Sequence, residues 1–209
     1  DILGAVIEVV SGMKFSLFLK KKIFEPLGMN DTAFYVPQEK QNRLSCVYTE
    51  KNHSLELFES PNLGIQHSMK LEPSFESGGA GLCSTIDDYM KFALMLCNKG
   101  KLNGKRILQE RTVEFMMNAK LRLNLQQRFD IKMEHLSGYT YSNLCRVAID
   151  KGCCKSITEN GEFGWDGWLG PYFSVDIKNQ LVMIVLMQRT DSGTTSTTRK
   201  IKNIVYSSI

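Results

Sequence analysis

Metal-binding patterns are what this sequence most plainly lacks. Only three histidines, His53, His67 and His135, occur in 209 residues, and their spacing matches no zinc pattern. The six cysteines are Cys46, Cys83, Cys97, Cys145, Cys153 and Cys154. They contain no C-x-x-C pair, and the adjacent Cys153-Cys154 suits neither a zinc knuckle nor a redox couple. No metal and no other cofactor is therefore expected. Scattered single thiols fit a reducing compartment better than an exported one, which favours a cytoplasmic location. A run of about 18 apolar residues is also missing, so no transmembrane span is expected. Charge of one sign is not in large surplus: 26 basic and 22 acidic residues leave +4, with the basic residues spread along the chain. The densest run, Lys20-Lys21-Lys22, falls on the polar side of a helical pattern and reads as a solvated face. Nucleic acid is not an expected partner.

What is present describes a globular chain. Hydrophobic residues make up 43% and charged residues 23%, ordinary values for a folded domain. At 209 residues there is enough chain for one good core, or for two small lobes sharing one. Asp1-Ile2-Leu3-Gly4 runs directly into a helical pattern with no initiator Met and no signal peptide, so a processed or truncated product is expected.

Ile2, Leu3, Val6, Ile7, Val9 and Val10 predict a helix apolar over most of its surface, the kind normally buried between other elements, stopped at Ser11-Gly12. Phe15, Phe18, Leu19 and Ile23 mark one face of a second helix, ended by Pro26 and Gly28. Residues 30–72 are mixed and polar, with strand-like pieces at 45–48 and 55–58, and read as a surface excursion. A glycine turn over 77–82 leads into Ser84-Thr85-Ile86-Asp87-Asp88, a hydroxyl cap followed by acids. Ile86, Tyr89, Met90, Ala93 and Leu96 continue that helix to Gly100. Leu102-Asn103-Gly104-Lys105 is a turn, and 109–119 is another helix. After Gly138 the period changes. Residues 139–149, 172–176 and 181–187 read as strands, the last an unbroken apolar run suited to a sheet centre. Asp176-Ile177-Lys178-Asn179 turns the second of these back into the third. Residues 192–198 read as a mobile loop, and Ile201, Ile204 and Val205 as a closing helix. Helices first and strands last argue for an α+β architecture with an antiparallel sheet.

Four blocks in this order resemble the penicillin-recognising serine hydrolases, near the class C β-lactamase, D,D-peptidase and family VIII esterase branch. They run over residues 3–12, 23–32 (with Ile23-Phe24-Glu25-Pro26-Leu27-Gly28-Met29), 77–89 and 161–176 (with Gly164-Trp165-Asp166-Gly167-Trp168). The resemblance implies a β-lactamase/transpeptidase-like fold with flanking helices: a helical lobe over about 1–135, then the sheet and closing helix over about 136–209. It also implies that the N-terminal strands and first helix lie upstream of Asp1.

That family works with three motifs around one cleft: Ser-x-x-Lys for the nucleophile and its lysine, Tyr-x-Asn for a second proton-handling group, and Lys-Thr-Gly or Trp/His-x-Gly on a sheet edge strand. A serine hydroxyl needs a base to take its proton, and the tetrahedral oxyanion needs fixed N–H donors. By the resemblance, Trp165-Asp166-Gly167 is the third motif, with the Trp168 backbone N–H as one oxyanion donor. Gly167 lets backbone and substrate approach closely. Asp166 departs from the small or hydroxyl residue usual there and disfavours carboxylate-bearing β-lactams by like-charge repulsion. Gly79-Ala80 would border the same cleft. Two plainer alternatives stand beside these: Trp165 and Trp168 as sheet-packing aromatics, and the glycines as a simple turn before a helix.

Ser11-Gly12-Met13-Lys14 and Tyr141-Ser142-Asn143 spell the first two motifs but sit in the wrong context, one at a helix stop and the other inside a strand pattern. Both genuine motifs are expected upstream of Asp1, leaving a fragment inactive alone whose parent forms an acyl-enzyme on an amide, ester or β-lactam. A non-catalytic, self-associating module that pairs through an exposed sheet edge into a homo-oligomer is the alternative. A third possibility is a processed enzyme whose N-terminal piece remains bound as a separate chain.

Overall fold

The computed structural model describes residues 1–209, and the chain divides into two compact units, Asp1–Phe92 and Ala93–Ile209. The first unit opens with α1 (Ile2–Ser11), which ends where Gly12 turns left-handed at φ +66° and donates its N–H to the Glu8 carbonyl. An L side chain resists that backbone conformation, so glycine stops the helix cleanly. α2 (Phe15–Leu19) widens through a π-helical turn at Lys20–Phe24 and continues as α3 (Glu25–Leu27), closed by Gly28 at φ +69°. Pro26 lies inside α3 and does not end it. It falls directly after the π turn, where the ordinary i to i−4 bonding has already been interrupted. Lys20, Lys21 and Lys22 are all exposed.

β1 (Tyr48–Lys51) and β2 (Ser54–Leu57) form a hairpin turned at Asn52-His53, both at positive φ. The first strand lies about three residues later than the sequence predicts. Next comes α4 (Ile86–Cys97). Thr85 caps it, its hydroxyl accepting the Asp88 N–H at 3.3 Å. Asp88 is itself buried and accepts from the Asp31 N–H at 2.6 Å and the Thr32 hydroxyl at 3.1 Å. Those bonds fasten the first turn of α4 to the loop after α3.

One expectation about this unit fails. α1 is not buried: Val9 is 84% exposed and Val10 81%, and Gly4 is its sole buried residue. Gly4 is where Phe15 of α2 lies against it. An apolar surface on all sides shows that a helix has much to bury, but not that 209 residues supply the cover.

The second unit contains the small hairpin β3 (Lys101–Leu102) and β4 (Lys105–Arg106), turned by Asn103-Gly104 at positive φ. Two helices follow, α5 (Glu110–Asn118) and α6 (Leu123–Lys132). Five strands then build one antiparallel sheet in sequence order: β5 (Tyr139–Ser142), β6 (Cys145–Ala148), β7 (Phe163–Asp166), β8 (Tyr172–Asp176) and β9 (Leu181–Val185). The chain closes with α7 (Ser196–Tyr206). Both α5 and α6 pack on β5, so helices that precede residue 135 belong with the sheet.

Residues 139–149 are a hairpin and not one strand, because Asn143 and Leu144 take φ +44° and +68° and reverse the chain. An Asn-Leu turn carries no glycine, and the reversal leaves Leu144 60% exposed. β9, read as central, is the edge: it pairs with β8 alone. Residues 192–198 are anchored, with Ser192 fully buried, Thr198 at 1% exposure, and the Thr195 hydroxyl capping α7 through the Thr198 N–H.

Alternation along the strands sorts side chains onto two faces. Thr140, Val147, Phe163 and Val175 are cross-strand partners and nearly inaccessible. Theirs is the face of α5, where the Leu121 N–H bonds the Thr140 hydroxyl and Ser142 donates to the Met116 carbonyl. Tyr139, Arg146, Glu162 and Asp176 occupy the face of α7, joined to Lys202 and Tyr206 by buried hydrogen bonds and charge contacts.

Candidate functional site

Trp165 and Asp166 end β7, the middle strand of the sheet and not an edge. Its ladder to β6 joins Val147 to Phe163 and Arg146 to Gly164, and only Asp166 extends past the first residue of β6. On the other side, Trp165 and Asp166 pair with Phe173 and Tyr172 of β8. Trp165-Asp166-Gly167, expected on an edge strand, therefore lies at the end of the central one.

Gly167 begins the β7–β8 connection, donating its N–H to the Pro171 carbonyl at 2.9 Å and accepting from the Gly170 N–H at 2.9 Å. Trp168 follows, 38% exposed, with its indole N–H on Asp191 Oδ1 at 2.7 Å and its carbonyl accepting the Ser192 N–H at 3.0 Å. The Asp166 carboxylate accepts the Thr194 hydroxyl at 2.7 Å. The segment 191–194 therefore braces the whole Trp165–Trp168 stretch. Trp165 meets the ring of Tyr141 edge-on at 5.2 Å, a packing contact that serves either reading of this tryptophan.

Gly79 and Ala80 lie in the first unit, at an exposed turn organised by buried Ser77. The Ser77 hydroxyl donates to Asp1 Oδ1 at 2.8 Å and accepts the Ala80 N–H, while the Gly79 N–H reaches the same Asp1 oxygen at 3.2 Å. Gly81 is required there, since a Cβ would come within 2.8 Å of the Ser77 carbonyl.

The two motif spellings have other work. Ser11 is the last residue of α1, and its hydroxyl accepts the Met13 N–H at 3.2 Å. Lys14 is clamped by Glu72 at 2.6 Å and Glu76 at 3.0 Å. Hydrogen bonds to those two carboxylates hold its ammonium above the ordinary lysine range, the reverse of what a proton acceptor needs. The residues just after it are the capped start of α2: the Phe15 N–H donates to Glu8 and the Ser16 N–H to Glu76. Tyr141 is raised by burial, the Ser142 hydroxyl is committed to Met116, and Asn143 is a turn residue.

Five of the cysteines are equally unsuited to act as the nucleophile. Burial pushes the thiols of Cys83, Cys97 and Cys145 up, and Cys154 up to about 11, while a hydrogen bond to Asp150 raises Cys153. Reactive thiols are lowered, not raised.

Sequence reasoning missed a buried ionic cluster behind this strand. Glu162, immediately before β7, is inaccessible and accepts from Lys202 Nζ at 2.9 Å and the Tyr139 hydroxyl at 2.9 Å. Arg146 Nη2 stands 3.6 Å from its other oxygen and donates to the Phe173 carbonyl at 3.0 Å. The guanidinium stacks on the Tyr172 ring at 4.3 Å. Tyr139 and Tyr206 are pushed strongly upward, first by burial and then by Glu162, so both remain neutral donors. The available signal was a charged residue inside an apolar strand pattern, Arg146 between Cys145 and Val147.

The sequence profile of the Beta-lactamase family matches residues 1–205. The chain belongs to the Beta-lactamase family. Among curated proteins, Rv1367c of Mycobacterium tuberculosis is 26% identical over 191 residues, covering 90% of this chain and 47% of that protein. Two solved structures share the fold. EstCE1, described as a hydrolase with promiscuous acyltransferase activity, superposes with a TM-score of 0.81 at 22% identity, covering 98% of this chain and 54% of EstCE1. A mutant simvastatin synthase, LovD, from Aspergillus terreus gives 0.84 at 20% identity, covering 100% and 53%. The chain spans about half the length of the relatives it matches. The β-lactamase/transpeptidase-like fold inferred from the four sequence blocks is thereby established.

Proposed function

We propose that residues 1–209 supply one wall of a Beta-lactamase-family acyl-transfer site whose nucleophilic serine lies outside them, and that the chain alone has no turnover. The observation that carries this reading is the state of Ser11 and Lys14: a serine at a helix stop and a lysine held protonated by two carboxylates do not make a nucleophile. In a complete site, a serine from elsewhere attacks an ester or amide carbonyl, its proton passes to a neighbouring base, and the oxyanion forms against backbone donors. Trp165 and Gly167, at the end of β7, are the residues here suited to line such a cleft, with the Trp168 backbone as an oxyanion contact. The Asp166 carboxylate, even while accepting from Thr194, disfavours anionic acyl groups. Neutral esters or amides are the preferred class, and EstCE1, of the same fold, is described as a hydrolase with promiscuous acyltransferase activity. Loss of the nucleophile from such a unit typically costs several orders of magnitude in turnover. With an activated p-nitrophenyl ester, the folded chain is expected to give no burst above background, and Ser11→Ala is expected to change nothing. A burst stoichiometric with protein and abolished by Ser11→Ala contradicts the proposal.

Self-association is favoured by a separate observation. β9 is an open edge whose residues Leu181, Val182, Ile184 and Val185 are only half-buried, and an apolar edge invites strand pairing. Light scattering at working concentration is expected to show a dimer or larger species. A clean monomer removes this reading and leaves the first untouched.

A further inference from the structure

The turn that carries Trp168 has three consecutive carbonyls in use. Gly167 and Gly170 close it, the Gly170 N–H donating to the Gly167 carbonyl at 2.9 Å with Gly170 at φ +88°. Two further bonds arrive from the loop between β9 and α7. The Ser192 N–H holds the Trp168 carbonyl at 3.0 Å, and the Arg189 N–H holds the Leu169 carbonyl at 3.0 Å. Turn and loop are in close contact: a Cβ on Gly170 would stand 3.0 Å from the Cβ atoms of both Met187 and Ser192.

A peptide unit is planar and trans, so its N–H points opposite to its C=O. Fixing the Gly167 carbonyl therefore fixes the direction of the Trp168 N–H. That N–H is not spent on closing the turn, whose own bond runs from the fourth residue back to the first. Rotation of this peptide requires Trp168 to move, and Trp168 is tied by its own carbonyl and by its ring.

Both of those ties come from Asp191 and the residue after it. Asp191 sits at φ +54°, a left-handed conformation that a residue with a side chain adopts at a cost. The left-handed step at 191 leads directly into Ser192, whose N–H meets the Trp168 carbonyl, while the Asp191 carboxylate accepts the Trp168 indole N–H at 2.7 Å. Ser192 is fully buried, and its hydroxyl accepts Arg189 Nε at 2.6 Å and donates to the Thr190 carbonyl at 3.1 Å. Backbone and side chain of one strained residue thus act on a single target. Strain of this kind is retained where the surrounding structure over-determines it, and it clusters at functional sites.

We propose that Asp191 is the positioning residue for the Trp168 peptide, setting the direction of its backbone N–H from the loop before α7. The proposal rests on the reading of that N–H as an oxyanion contact.

The test compares Asp191→Gly and Asp191→Asn with the unaltered 209-residue chain by NMR relaxation, amide exchange and thermal unfolding. Glycine adopts the left-handed step freely but carries no acceptor, so Tm is expected to stay within about 3 °C. In that variant the Trp168 N–H order parameter is expected to fall from about 0.85 to below about 0.6. The Ser192 and Gly170 amides are expected to exchange at least tenfold faster, with those of β8 unchanged. Asparagine keeps an acceptor oxygen and tolerates positive φ, and is expected to restore all three signals. A Trp168 order parameter unchanged in Asp191→Gly overturns the proposal, and so does an Asp191→Asn variant as mobile as the glycine one. Loosening spread evenly over β7 and β8, or a larger loss of Tm, marks a structural role alone and overturns it as well. A burst with the activated ester, by contrast, removes the acyl-transfer reading and leaves these outcomes as they are.

Discussion

Replacing Glu162 by glutamine is expected to destabilise the second unit by roughly 3–5 kcal/mol, the range for removing one partner of a buried ion pair. Glutamine keeps the shape and some hydrogen bonds of the carboxylate, so the loss is chiefly electrostatic. Lys202 at 2% exposure and Arg146 at 1% would remain buried with no counter-charge. Urea unfolding measures the difference, and a loss below about 1 kcal/mol places the cluster among the weak pairs of exposed sites. Lys202→Met removes the other partner. The two single losses are expected to exceed the double variant's loss by about 0.5–3 kcal/mol, the coupling of residues in direct contact.

The same carboxylate gives a pH dependence of known sign. Burial alone raises the Glu162 pKa, but Lys202 and then Arg146 outweigh it and hold the group below its ordinary 4.5. The folded state therefore prefers the carboxylate more than the unfolded chain does. Its contribution is fully present above the unfolded value of about 4.3 and is lost as pH falls from there through the lower folded value. In the Glu162→Gln variant that part of the acid destabilisation is absent, so the stability curve below about pH 5 is expected to flatten.

The second large effect is expected at Gly164. A Cβ there would fall 2.0 Å from the Phe173 carbonyl oxygen and 2.9 Å from the Ser174 Cα. These are backbone atoms of the paired strand and have no rotamer to turn away. Gly164→Ala must separate β7 from β8. A loss of about 3 kcal/mol, the upper range of ordinary overpacking, is expected in the same unfolding measurement. Gly104 is the comparison: it takes φ +79° with nothing near its Cβ position, so alanine there strains the turn without forcing strands apart. Equal losses at the two sites contradict the close strand approach.

How far the sequence could be read depended on the range of the physics involved. Helix stops at Gly12 and Gly28 were legible because each needs only a local left-handed residue. α4 instead ends at Cys97, three residues before the Gly100 expected to stop it, with Lys99 the first left-handed residue. The Asn103-Gly104 turn and β8 were legible, because their signals lie within a few residues. What depended on neighbours far along the chain was not. The apolar run of β9 states that both faces can be covered, yet says nothing of whether one strand or two lie beside it. α1 shows the same limit, an apolar surface without an assigned cover. α6 was missed because its face is weakly patterned and none of its residues is buried. Asn143-Leu144 reverses the chain with no glycine to announce it.

For the site, the local motif Trp165-Asp166-Gly167 could be found, but not its place at the end of the central strand. The braces from Asp191, Ser192 and Thr194 come from more than twenty residues away, in a segment read as mobile. The ionic cluster joins Arg146, Glu162 and Lys202, and only folding shows that these three charges share one dry space.

The most direct test of the central claim is the intact mass of the folded chain after incubation with a reactive fluorophosphonate and, separately, with a penicillin. A chain that carries a cleft wall but no nucleophile keeps the mass of Asp1–Ile209 in both, with circular dichroism showing it folded. A stoichiometric adduct mapped to Ser11 would make Ser11-Gly12-Met13-Lys14 a working nucleophile motif and contradict the account at its root.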